Sequence, residues 1–87
     1  MKACFMGLGY IGLPTAIIAA KHGIDIVGVD INPQVVEMTN KGRLHIIEPG
    51  MEDMLREVVC NGHLHASVTP EESDAYFMVV PAPHNLA

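Results

Sequence analysis

Met6-Gly7-Leu8-Gly9-Tyr10-Ile11-Gly12 is a G-x-G-x-x-G run set between an apolar segment, Ala3 to Met6, and a helical one, Leu13 to Ala20. The glycine spacing alone is a weak signal. Its place between a predicted strand and a predicted helix is what a dinucleotide fingerprint requires. In that reading Gly7 permits the tight turn out of the strand, and the missing side chain at Gly9 lets the backbone approach a pyrophosphate. Gly12 then lets the new helix pack closely on the sheet, and the helix N-terminus offers free N–H groups to the phosphates. The competing reading is a glycine-rich turn that binds nothing.

Outward from this run, Lys2 to Met6 reads as a buried strand, and Leu13, Ala16, Ile17 and Ala20 form a helical stripe. Pro14 fits in the first turn, where its missing N–H is no loss, and Gly23 is placed to cap the C-terminus. Ile24 to Val29 is short, apolar and β-branched, a second strand. Strand, helix, strand in 29 residues is a βαβ unit with parallel strands and a right-handed crossover. Asp30 follows, 23 positions after Gly7, where an acidic residue accepts hydrogen bonds from the adenosine ribose. A carboxylate there repels a 2′-phosphate, and Ile31 and Asn32 supply no arginine to welcome one, so NAD is favoured over NADP. The alternative for Asp30 is an ordinary strand-end aspartate.

Farther along, Asn32-Pro33 starts a short helix to Lys41 that Gly42 closes. Arg43 to Pro49 reads as a connection carrying His45 and Glu48. Met51, Met54, Leu55, Val58 and Val59 make one face of a third helix, with Glu52 and Asp53 in its first turn and Gly62 at its end. Leu64 to Val68 is a third strand, Thr69-Pro70-Glu71-Glu72 a capping-box pattern for one helical turn, and Ala75 to Val80 a fourth strand stopped by Pro81-Ala82-Pro83.

Composition narrows the function classes. The 87 residues allow at most one small domain. A net charge of −5 without a basic run argues against nucleic acid, yet backbone N–H groups can bind phosphate without lysines. Cys4 and Cys60 form no disulfide framework, which points to reduced thiols and a cytoplasmic protein, and Cys60 is expected to pack on the core. The apolar N-terminus resembles a signal peptide or membrane span only superficially, because three glycines and Pro14 interrupt it, so no membrane partner is expected. His63 and His65 share a strand face but lack a third ligand at fixed spacing, so no metal is expected. Glu71, Glu72 and Asp74 read as a solvated turn, and no Ser–His–Asp arrangement exists.

The pieces Gly7-Leu8-Gly9-Tyr10-Ile11-Gly12-Leu13-Pro14, Gly28-Val29-Asp30-Ile31-Asn32, His45-Ile46-Ile47-Glu48-Pro49 and Ala75-Tyr76 through Val80-Pro81-Ala82-Pro83 together resemble the NAD-dependent nucleotide-sugar dehydrogenases. These enzymes oxidise UDP-glucose, GDP-mannose or UDP-N-acetylmannosamine to uronic acids, and the His-Ile-Ile-Glu-Pro piece is most similar to the UDP-N-acetylmannosamine branch. The resemblance implies an α/β fold, the first half of a Rossmann-type parallel sheet with strand order 3-2-1-4. It implies cofactor contacts from Gly7, Gly9, Tyr10, Ile11, Gly12 and Asp30, and from the loop at Pro81 and Ala82. That loop departs from the family's Pro-Thr-Pro, because Ala82 lacks the threonine hydroxyl.

For a full-length relative the resemblance implies two hydride transfers to NAD from C6 of the sugar, through a thiohemiacetal and a thioester on a downstream cysteine. Neither Cys4 nor Cys60 matches that cysteine. Residues 1–87 are therefore expected to be a truncated N-terminal dinucleotide-binding domain, inactive alone, with the nucleotide sugar bound only by missing domains. A non-catalytic NAD-sensing module and a fragment that binds nothing are the alternatives. The apolar strands, with both crossover helices on one side, further predict a bare second sheet face and a homo-oligomer, most simply a two-fold dimer packed through that face or by exchange of its C-terminal segment.

Overall fold

The computed structural model describes residues 1–9, 12–45 and 49–78. The element order is β1 (Lys2–Met6), α1 (Gly12–Lys21), β2 (Asp25–Val29), α2 (Pro33–Asn40), α3 (Met51–Cys60), β3 (Leu64–Ser67) and β4 (Ala75–Met78). The four strands form one parallel sheet in the order β3-β2-β1-β4, the expected Rossmann-type arrangement. Sequence and structure agree on β1 to the residue. The expected third strand loses Val68, and Val79 and Val80 of the expected fourth lie outside the described residues.

Alternation along the strands sorts the sheet into two faces. Ala3, Phe5, Ile26, Leu64 and Ala66 point to the side covered by the helices, where Leu13, Ile17, Leu55 and Val58 are buried against them. All three helices close in the same way. Gly23, Gly42 and Gly62 have positive φ, and the next residue donates its N–H back to the carbonyl five residues earlier. Cys60 does not pack on this core. It lies two residues past Val58, on the far side of α3 from the Met51, Leu55, Val58 stripe, and it is exposed.

The second face is covered over β1 and β2 but not over β4, where Tyr76 and Met78, in register with Cys4 and Met6, are exposed, so the expected bare surface is corrected only in part. Cys4, Val27 and Val29 form a small buried cluster with Met6 against it. The connection from β3 to β4 crosses this side, tied down by Glu71. One Glu71 oxygen accepts from Lys2 Nζ at 2.9 Å and the other pairs with His65 Nε2 at 2.8 Å, while Asp74 accepts from the Lys2 backbone N–H at 2.8 Å. The same contacts explain why the expected helical turn at Thr69 to Glu72 does not form. A capping box needs the Thr69 N–H for the Glu72 side chain, but Ser67 Oγ accepts that N–H at 3.2 Å. Long-range pairing of Glu71 with two strands outweighs the local capping signal, so this acidic stretch is a strap rather than a solvated turn.

The ion pairs of this strap set its expected response to pH. The hydrogen bond from His65 and then that from Lys2 hold the Glu71 carboxyl below the usual range, and the bond to Glu71 raises the Lys2 ammonium. A lowered carboxylate contributes stability that is present above its unfolded pKa and lost as pH falls through the folded value. The raised lysine contributes below its unfolded pKa and stops contributing as pH rises through its folded value. Protection of the Ser73 and Asp74 amides, which donate to Tyr76 Oη and the Lys2 carbonyl, should therefore fall on acidification and fall again at strongly alkaline pH. In Glu71→Gln the acid step should vanish, and an acid step that survives this change would assign it to another group.

Candidate functional site

The glycine run lies where β1 ends and α1 begins, beside the C-terminal end of β2. Chain paths diverge here: the crossover leaving β1 runs on the helix side, and the one reaching β4 runs on the other. In open α/β sheets, crevices at such switch points are where ligands bind. Gly7 turns out of β1 at φ 110, a conformation that a side chain disfavours, and its N–H donates to the Val29 carbonyl at 2.7 Å. Gly9 is exposed, and among the described residues beyond its chain neighbours no atom lies within 4 Å of the place a Cβ would occupy. Its missing side chain serves no packing among the described residues and leaves the backbone open to approach from their side. Gly12 is buried as the first residue of α1.

Electrostatics favour an anion at this point. The first turn of α1 carries no acidic side chain, whereas α3 places Glu52 and Asp53 in its own. The N-terminal charge of α1 is thus left without an acidic partner in its own first turn. Tyr10, Ile11, Pro81 and Ala82, also expected at the cofactor, lie outside the described residues.

Asp30 sits at the end of β2, half-buried and directed at the same loop. Its Oδ2 accepts from the Leu8 N–H at 3.1 Å and its Oδ1 from the Asn32 N–H at 2.9 Å. The carboxylate therefore joins the glycine run to β2, a contact the sequence did not disclose. Each carboxylate oxygen has a second lone pair, so hydroxyl donors can still be accepted. Asp30, Gly7 and Gly9 are thus brought together as expected. The structure adds two residues to them, Leu8 and Gly28. Leu8 is fully buried, and a Cβ at Gly28 would lie 2.7 Å from its Cδ2. Glycine inside an apolar strand was the available signal, since it marks the close approach of another group.

His63 and His65 line an open cleft of about 290 Å³ with Lys2, Asp25, Ile26 and Gly62, next to the starts of β1 and β2 and therefore at the other end of the sheet from the loop. Among the described residues no group of three or more His, Cys, Asp or Glu side chains is arranged to hold a metal. No helix of the described residues is long and apolar enough to cross a membrane.

Comparison with known proteins agrees with this geometry. The family model described as the UDP-glucose/GDP-mannose dehydrogenase family, NAD binding domain, matches residues 1–87. The chain is 51% identical over 82 residues to the UDP-N-acetyl-D-mannosamine dehydrogenase of Campylobacter jejuni, covering 94% of this chain and 20% of that protein. It is also similar to the solved UDP-N-acetyl-mannosamine dehydrogenase of Staphylococcus aureus, with a TM-score of 0.93 and 47% identity over 100% of this chain and 21% of that one. A GDP-mannose dehydrogenase from Pseudomonas aeruginosa superimposes with a TM-score of 0.90 at 28% identity, covering 99% of this chain and 21% of the other. The chain thus spans about a fifth of the length of the relatives it matches. The 87 residues belong to the UDP-glucose/GDP-mannose dehydrogenase family, as its NAD binding domain.

Proposed function

We propose that Gly7, Gly9 and Gly12 receive the pyrophosphate of NAD, that Asp30 accepts the adenine ribose hydroxyls, and that Tyr10, Ile11, Pro81 and Ala82 complete the contacts. The observation that carries this reading is the Asp30 carboxylate hydrogen-bonded to the loop between Gly7 and Gly9. It stands within reach of a ribose whose pyrophosphate lies over that loop. Ile31 and Asn32 add no positive charge beside it, so the same site disfavours the 2′-phosphate of NADP.

In the larger protein, we propose oxidation of a nucleotide sugar, with UDP-N-acetylmannosamine as substrate, because the similar proteins of Campylobacter jejuni and Staphylococcus aureus, at 51% and 47% identity, carry that name. NAD supplies the hydride acceptor. Residues 1–87 supply the binding and orientation of its adenosine and pyrophosphate, and no residue among them is assigned to the chemistry on the sugar. As a domain assignment, residues 1–87 are the dinucleotide-binding part, with the catalytic and sugar-nucleotide parts elsewhere in the parent. Incubated with NAD and UDP-N-acetylmannosamine, the 87-residue chain should bind NAD yet form no NADH. NADH formation abolished by Cys60→Ser would make Cys60 a nucleophile and overturn this division of labour. We further propose that the isolated chain self-associates through β4, where Tyr76, Phe77 and Met78 are exposed.

A further inference from the structure

We infer that Leu8 is the positioning residue of the pyrophosphate loop, seated in a notch that Gly28 leaves in β2. This rests on the loop receiving the pyrophosphate, as proposed above. Leu8 is held at two points. Its side chain is fully buried in the helix-side core, and its N–H donates to Asp30 Oδ2. One hold comes from β2 at Gly28 and the other from Asp30, the residue just past its end, so two positions set both the height of the loop and the place of the carboxylate. The notch depends on the missing side chain. A Cβ at Gly28 would meet Leu8 Cδ2 at 2.7 Å, Cδ1 at 3.2 Å and Cγ at 3.4 Å. The Cδ2 contact is closer than a Cβ tolerates, the Cδ1 contact is tight and Cγ stands at ordinary contact distance, so the methyl end of Leu8 has to give way. Leu8 is fully buried in a packed core, so its methyls have little room to turn into, and the displacement is passed to the loop at Gly7 and Gly9.

Ligand class distinguishes this from a general loss of structure. In Gly28→Ala, NAD and ADP, which carry the diphosphate, should bind about tenfold more weakly, while adenosine, held at Asp30, should change by less than about twofold. Adding Leu8→Val removes one carbon for the one gained and should restore NAD to within about threefold of the native chain. Leu8→Ala alone, which empties the notch, should also weaken NAD more than adenosine, and it serves if Gly28→Ala does not fold. Binding is read by NMR titration, together with the protection of the Leu8 amide without ligand. That protection should drop in Gly28→Ala and return in the double variant. Native-like NAD binding by Gly28→Ala, equal losses of adenosine and NAD, or no rescue by Leu8→Val would overturn the inference. A native chain that binds none of the three ligands would instead refute the cofactor site, and the Leu8 amide would then decide the seat by itself.

Discussion

Asp30→Ala should lower NAD affinity about a hundredfold while leaving the chain folded. Two losses combine in this change. The ribose hydroxyls lose a charged acceptor, and hydrogen bonds to charged groups are worth about 1.5–3 kcal/mol each. The Leu8 and Asn32 N–H groups also lose their acceptor, so the loop is no longer braced from β2. NADP should lose much less than NAD, because removing the carboxylate also removes its repulsion of the 2′-phosphate. The ratio of the two affinities therefore falls toward one. Calorimetric titration of native and variant chains with both cofactors measures this, and thermal unfolding confirms that the variant is folded. An unchanged ratio in a folded variant would show that Asp30 braces the loop without touching the ribose.

Self-association is the second large effect expected, and it concerns the edges of the sheet rather than its faces. At the β3 edge, Asn40 imitates a neighbouring strand. Its Oδ1 accepts from Ala66 N–H at 2.7 Å and its Nδ2 donates to the Ala66 carbonyl at 3.0 Å. That edge is closed to another chain at its centre. At the other edge, β4 pairs only with β1 among the described residues, and Tyr76, Phe77 and Met78 are 54%, 45% and 76% exposed. An unpaired edge with large apolar side chains is a template for a second strand, and the simplest closed solution is a two-fold pair of β4 strands. Sedimentation equilibrium across the micromolar range should show a dimer, and Met78→Lys should shift it to monomer by placing a charge on the edge. A native chain that stays monomeric over that range would remove β4 as an interface.

What the sequence disclosed follows from how local each determinant is. β1, α1 and β2 were legible because short-range signals agree there: an apolar run, three glycines, a proline in a first turn, then a β-branched run ending at Asp30. The β3–β4 connection departs from its local capping pattern because that pattern competes with partners far away in sequence, Lys2 and His65. The cover over β1 and β2 on the second face has the same origin, since the crossover on that side has no apolar periodicity to announce it. At the site, Gly7, Gly9 and Asp30 were identifiable from spacing. The tie between Asp30 and Leu8 and the seat at Gly28 arise only when β1 and β2 pair in register, Phe5 opposite Gly28 and Met6 opposite Val29.

The most direct test of the NAD site is a calorimetric titration of the 87-residue chain with NAD and, separately, with NADP. The geometry of Asp30 and the glycine run predicts saturable NAD binding at one site per chain, with NADP bound more weakly. Equal or tighter binding of NADP, or no binding of NAD by the folded chain, would contradict it.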